Sequence, residues 1–144
     1  MSIKQISVFL ENRPGKLQEM CRVLAEHQID MRALSLAEAK DFGIARMIVD
    51  DAFATANVLK ENDFIARFTP VLAYAVPDEP GGLSHLLSAF TEAEVNIEYM
   101  YAFLGGSNDG RAYMIFRVAD TEQAEAALLK QGFRTLGQEE IDRI

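Results

Sequence analysis

A short motif suited to holding a small anion occurs twice in this chain. It reads Asn12-Arg13-Pro14-Gly15-Lys16-Leu17 and, 66 positions further on, Asp78-Glu79-Pro80-Gly81-Gly82-Leu83. In each copy a Pro-Gly turn closes an alternating apolar stretch and opens one with helical spacing. Glycine lets a ligand approach the backbone, and the first N–H groups of a helix have no partner within it, so such a turn attracts negative charge. That attraction is worth about 0.3 to 1 kcal/mol when exposed. The side-chain oxygen of Asn12 or Asp78, with nearby strand carbonyls, can accept from an ammonium. Donors and acceptors this close suit a small zwitterion with a carboxylate and an ammonium on one carbon. The copies are unequal: Glu79 replaces Arg13 and Gly82 replaces Lys16, so the second loop is more acidic and is expected to be more open.

Other reactive side chains form no set. Cys21 lies on an apolar helical stripe and reads as a core thiol, with no companions for a disulfide or a zinc site. His27 and His85 have no Asp, Cys or Ser at a spacing that suggests a catalytic group. No catalytic residue, metal or cofactor is therefore expected. The run Gly105-Gly106-Ser107-Asn108-Asp109-Gly110 lacks the Lys-Ser/Thr ending of a phosphate loop and joins two strands. Met20, Met31, Met47, Met100 and Met114 fall at strand or helix spacing and read as core filler. Tyr99 and Tyr101 share one strand face, as a pocket wall or as ordinary sheet surface. Glu98 beside them reads as an exposed carboxylate.

Composition narrows the class further. The formal charge of −8 argues against binding a phosphate backbone, which needs a basic face. With 49% hydrophobic and 25% charged residues in 144, the chain reads as a soluble globular protein. It has no apolar run of about 18 residues, and its start enters an alternating pattern, so neither a membrane span nor a leader is expected. A cytoplasmic location follows from that reading.

The loops belong to a longer duplication. At the offset of 66, Leu17, Ile29, Asp30 and Met31 meet Leu83, Val95, Asn96 and Ile97. At 67, Gly43, Ala45, Met47 and Ile48 meet the identical Gly110, Ala112, Met114 and Ile115; at 69, Asp51, Leu59 and Phe64 meet Asp120, Leu128 and Phe133. The offset changes where turns are expected, because surface loops absorb length change better than packed elements do.

Each repeat reads strand, helix, strand, strand, helix, strand. In the first, Ile6, Val8 and Leu10 alternate with Gln5, Ser7 and Phe9; Leu17, Met20, Cys21, Leu24 and Ala25 then recur at helical spacing. A hairpin near 31–49 is expected to turn at Asp41-Phe42-Gly43. Asp51 is placed to cap the next helix, and Pro70 to separate the last strand of this repeat from the first strand of the next. In the second, Leu83, Leu86, Leu87 and Phe90 mark the buried helix face, and Asp120 or Thr121 starts the last helix. A βαββαβ order makes a four-stranded antiparallel sheet with both helices on one face. The expected fold is α+β: two ferredoxin-like units, 1–69 and 70–144, pairing side by side into a continuous antiparallel sheet with helices on one face.

These residues resemble the ACT domain family, small ligand-binding modules of amino-acid metabolism. The resemblance rests on the repeated βαββαβ order, the two Pro-Gly turns at the first strand-to-helix junction, and Ile29-Asp30-Met31 with Val95-Asn96-Ile97 leading into the second strand. It covers nearly the whole chain as a tandem pair, similar to stand-alone tandem ACT proteins without a catalytic domain. The resemblance implies a free amino acid bound at an interface between paired domains, by the first loop of one and the second strand of its neighbour. The ligand-binding residues it suggests are Asn12, Arg13, Pro14, Gly15, Lys16, Leu17, Asp78, Glu79, Pro80, Gly81, Gly82 and Leu83 from the loops, and Met31, Ile97, Tyr99 and Tyr101 from the strands. Ala33, Leu34 and Met100 add apolar surface there. The expected function is non-catalytic regulation by a homodimer. A detached regulatory subunit of a biosynthetic enzyme is the alternative, and a small ferredoxin-like enzyme a third.

Overall fold

The computed structural model describes residues 1–105 and 108–144. Two compact units divide it, one of Lys4–Thr69 and one of Pro70–Ile144 with Met1–Ile3. The first unit contains β1 (Ile3–Glu11), α1 (Lys16–Glu26), β2 (Met31–Ala39), β3 (Phe42–Val49), α2 (Ala52–Glu61) and the first part of β4 (Ile65–Pro77). Its strands lie in the order β2-β3-β1-β4. The second unit contains the rest of β4, then α3 (Gly82–Glu92), β5 (Tyr99–Ala102), β6 (Arg111–Arg117), α4 (Thr121–Lys130) and the short α5 (Gln138–Asp142). Its strands lie in the order β4-β6-β5.

The alternation along β1 sends Ile6, Val8 and Leu10 into a core with Met20, Val23 and Leu24 of α1, Met47 and Val49 of β3, and Leu59 of α2. Fully burying one such side chain contributes roughly 1.5–3 kcal/mol. The face of α1 is rotated slightly from the expected one: Val23 is buried and Ala25 exposed, while Leu17 and Cys21 are partly buried at the margin. The second core gathers Leu72, Tyr74 and Val76 of β4, Leu86 and Phe90 of α3, Phe116 of β6, and Ala124 and Leu128 of α4. Tyr74 meets Phe90 and Phe116 edge-on, with ring centres 6.0 Å apart in both cases. Asp51 and Asp120 cap α2 and α4 as expected, accepting from the backbone N–H groups of Ala54 at 3.0 Å and Gln123 at 3.1 Å.

Four local expectations are corrected. Pro70 does not divide two strands; β4 runs through it as one strand of 13 residues, since proline fits extended backbone wherever its missing N–H is not needed by the ladder. The β2–β3 hairpin turns at Lys40-Asp41, with Ala39 opposite Phe42 and Lys40 at φ 54°, so Phe42 and Gly43 already belong to β3. The second unit lacks a regular last strand; after Gly132, at φ 89°, the chain runs irregularly, with Leu136 donating to the Ala73 carbonyl at 2.8 Å, and ends in α5. Gln5 and Ser7 are buried, although alternation placed them on the polar face of β1. A hydrogen-bond chain satisfies them: Gln5 Nε2 donates to Ser7 Oγ at 3.0 Å, and Ser7 Oγ lies 3.2 Å from Thr69 Oγ1. Gly106 and Ser107 of the expected β5–β6 turn lie outside the described residues.

Candidate functional site

The first Pro-Gly loop is built from short-range bonds. Arg13 N donates to the Glu11 carbonyl at 2.9 Å, Lys16 N to the Arg13 carbonyl at 3.4 Å, and Glu19 N to the Gly15 carbonyl at 2.9 Å. Gly15 sits at φ 89°, ψ −13°, a left-handed conformation that costs a residue with a Cβ roughly 1–2 kcal/mol. No side chain caps α1, so its first turn presents N–H groups to whatever occupies the loop. Asn12 ties the loop to the hairpin: its N–H donates to the Asp41 carbonyl at 3.2 Å and its Nδ2 to the Lys40 carbonyl at 3.4 Å.

Beside that tie lies a half-open cavity of about 200 Å³. Leu10, Glu11, Asn12, Arg13, Lys16 and Leu17 form one wall, and Leu36, Ala37, Glu38 and Gly43 form the other. A Cβ on Gly43 would lie 3.3 Å from Leu36 Cδ1, a tight contact that the flexible end of the leucine would have to relieve by a few tenths of an ångström. The volume falls below the roughly 300–1,000 Å³ of sites for drug-sized ligands, which suits a small metabolite. Both charge signs are present. Arg13 Nε donates to Glu11 Oε2 at 2.8 Å, and this bond holds the Glu11 carboxyl below the usual carboxylate range. Lys16 Nζ donates to Glu19 Oε2 at 3.3 Å and lies 5.7 Å from the centre of the Phe64 ring. The Arg13–Glu11 pair is exposed and the Lys16–Glu19 pair half-buried; an exposed pair is weak, so a ligand can exchange partners with the first at little cost. Glu38 stands exposed on the opposite wall.

The second loop repeats the backbone of the first. Gly81 sits at φ 89°, ψ −10°; Glu79 N donates to the Pro77 carbonyl at 2.9 Å, Gly82 N to the Glu79 carbonyl at 3.1 Å, and His85 N to the Gly81 carbonyl at 2.9 Å. The expectation that it is more open does not hold at its helix start. Gly82 is buried, and a Cβ on it would lie 2.1 Å from the Pro77 carbonyl oxygen. Glycine here serves a close backbone approach, where the first loop carries Lys16. Asp78, Glu79, Pro80 and Gly81 are exposed, and Leu83 packs on the second core.

The strand residues suggested from the sequence do not line this cavity. Met31 and Leu34 pack on the first core, Ile97 and Met100 on the second; Ala33 and Tyr101 are buried and Tyr99 half-buried. Within the first unit the loop faces Leu36, Ala37 and Glu38, toward the end of β2 away from Met31. These residues were not among those suggested from the sequence, nor was Gly43. Its recurrence at Gly110 in the duplication was the available signal, but it was read as turn chemistry.

A larger groove of about 550 Å³ lies on the second unit, lined in part by Leu129, Phe133, Arg134 and Glu140. Its charges satisfy one another: Arg134 donates to Glu140 through both terminal nitrogens at 2.8 and 2.9 Å, and the Met1 ammonium pairs with Glu125. It contains no residue of either Pro-Gly loop. A third cavity of about 170 Å³ has Glu94, Glu98 and Asp120 in its lining, yet Asp120 is engaged as a helix cap and Glu98 lies 3.4 Å from Arg117 Nε. Among the described residues no cluster of His, Cys, Asp and Glu could hold a metal ion, and no helix is long and apolar enough to cross a membrane.

Two βαββαβ-like units, each with a left-handed glycine at the start of its first helix, define a tandem ferredoxin-like, ligand-binding class of protein. The ACT domain pair profile matches residues 1–144, and the chain belongs to that family of regulatory domains. It is similar to a solved protein of Bacteroides thetaiotaomicron, with 34% identity, a TM-score of 0.90, and coverage of 100% of this chain and 98% of that one. The regulatory subunit of aspartate kinase from Thermus thermophilus, in its ligand-free form, shares the fold at 20% identity and a TM-score of 0.64, over 88% of this chain and 87% of that one. Its counterpart from Thermus flavus does so at 19% identity and a TM-score of 0.59, over 88% of each chain. No curated protein matches the chain.

Proposed function

We propose that this chain is a non-catalytic regulatory protein that binds a free amino acid or a similar small metabolite, principally at the first Pro-Gly loop. The observation that carries this reading is the cavity of about 200 Å³ at that loop, where an uncapped helix start faces an apolar and acidic strand wall. The carboxylate of the ligand takes the α1 N–H groups and Lys16. Its ammonium takes Glu38 or Glu11, and its side chain lies on Leu17 and Leu36. The second loop, tightened by Gly82 and acidic at Asp78 and Glu79, binds more weakly. Ligand binding biases the equilibrium between states of the protein only by its difference in affinity for them.

Thermal unfolding with each of the twenty amino acids tests the proposal. A true ligand stabilises the chain by about 2.7 kcal/mol at a hundredfold excess over its dissociation constant. Absence of a selective response to any of them at millimolar concentration would rule the reading out. A second reading, a detached regulatory subunit acting by contact with a biosynthetic enzyme, draws on the exposed ring pair Phe53 and Phe68 of the first unit, whose centres lie 5.4 Å apart. Recovery of such an enzyme in stoichiometric amount with the protein would favour it.

A further inference from the structure

The outward face of α4 differs from that of its counterpart in the first repeat. At the offset of 69 that relates the two helices, the exposed residues Asn57 and Lys60 of α2 meet Ala126 and Leu129 of α4. A face that is polar in one copy and apolar in the other is not required by the fold. Nor does the core of the second unit need it, since Ala124 and Leu128 already serve there from the inner side of α4. Leu129 is 58% exposed and Ala126 is exposed beside it, one turn away. An apolar stripe held in water by the second copy alone marks a surface for a partner.

The stripe lines the groove of about 550 Å³ on the second unit. The other wall is also particular to this repeat, because after Gly132 irregular chain and α5 stand where the first repeat has a strand. Phe133, half-buried, continues the apolar surface from that side. Carboxylates flank it on both sides, Glu122 and Glu125 from α4 and Glu140 from α5. Thr135 Oγ1 donates to Glu125 Oε2 at 2.6 Å and so fixes the Glu125 carboxylate in place. Arg134 is held by Glu140 and the Met1 ammonium by Glu125, which leaves the exposed Glu122 as surplus negative charge in the lining.

We propose that this groove docks a basic amphipathic helix of a partner protein. Such a helix sets apolar residues, one turn apart, on Leu129 and Phe133, and turns Lys or Arg on its flanks toward Glu122, Glu125 and Glu140. The charges select and steer the partner, while the apolar contact at the centre holds it. An extended segment would need a strand edge to pair with, and among the described residues no strand lines the groove. An acidic helix would meet like charge on both walls. The docking does not rest on the proposed ligand site, which shares no residue with this groove.

Fluorescence anisotropy with the full chain tests the docking, using a labelled synthetic helix of leucine and lysine, about 15 residues long, with its leucines along one face. The peptide should bind, and its counterpart with glutamate for every lysine should bind at least about tenfold more weakly. Leu129→Lys, which copies the first repeat, should weaken the basic peptide at least about tenfold, because it removes the apolar anchor and adds a like charge. Ser88→Lys makes the same change in net charge at an exposed position of α3 and should leave binding unchanged, which separates the groove from general attraction to an acidic protein. Glu122→Gln should weaken binding less and flatten its dependence on salt. No binding of the basic peptide, equal binding of the acidic one, or indifference to Leu129→Lys would each overturn the proposal. A chain that binds the peptide in this way yet responds to no amino acid would leave the docking groove standing and remove the sensor reading.

Discussion

Gly82 packs against the carbonyl of Pro77 so closely that a Cβ built on it would lie 2.1 Å from the oxygen. The matching position of the first repeat holds Lys16, which reaches Glu19 at 3.3 Å. Replacing Gly82 by Ala therefore forces β4 and α3 apart and should destabilise the second unit by about 1–3 kcal/mol, the usual cost of overpacking. Gly82→Lys, which copies the first loop, should cost more. Urea unfolding checks both, and an unchanged midpoint for Gly82→Ala would contradict the close contact.

Gly15 and Gly81 share φ 89°, and a Cβ on either would meet nothing within 4 Å. Alanine at each should thus cost a similar amount, about 1–2 kcal/mol, set by backbone conformation alone. Ligand response should separate them. Stabilisation by the cognate amino acid should fall strongly in Gly15→Ala and little in Gly81→Ala, read as the shift in melting temperature on adding ligand. Equal losses would contradict the asymmetry of the two loops.

Tyr74 is buried in the second core with a hydroxyl that has no hydrogen-bond partner among the described residues, and burial pushes its ionisation up. A buried polar group without a partner carries its full desolvation cost. Tyr74→Phe keeps the ring contacts with Phe90 and Phe116 and removes that cost. The variant should be more stable by about 1 kcal/mol. Loss of stability in urea would show that the hydroxyl is satisfied.

The Arg134 guanidinium, helped by the Gly137 N–H, lowers the Glu140 carboxyl from 4.5 to about 2. A folded-state value below that of the unfolded chain adds stability at pH above 4.5, and that stability is lost as pH falls from 4.5 toward 2. With the Glu140 side chain 40% exposed, solvent screening keeps the contribution below about 1 kcal/mol. Unfolding free energies of the native chain and Glu140→Gln, measured across this range, should converge at the acid end. A constant difference would assign the effect of the substitution to packing.

Much of the fold was legible because it was written twice. The recurrence of Pro-Gly turns, of Asp51 and Asp120 as helix caps, and of the Gly-x-Ala-x-Met-Ile segments reports backbone requirements that are local: a left-handed turn, a cap within three residues, an alternating strand. Pro70 was misread for the same reason, since a local rule cannot show whether a ladder needs a particular N–H. The role of Gly82 was hidden because it depends on an atom of another element, the Pro77 carbonyl beneath a helix start.

By itself, then, the sequence determined two repeats of strand and helix and a pair of anion-friendly helix starts. Only the tertiary structure decided that the first loop closes over Leu36, Ala37 and Glu38 while Met31 turns into the core, and that the second loop is sealed against its own strand. The difference is one of range. Propensity, capping and alternation act within a few residues and are encoded directly, whereas cavity walls and close backbone approaches exist only after separate segments have been packed to the density of a protein interior.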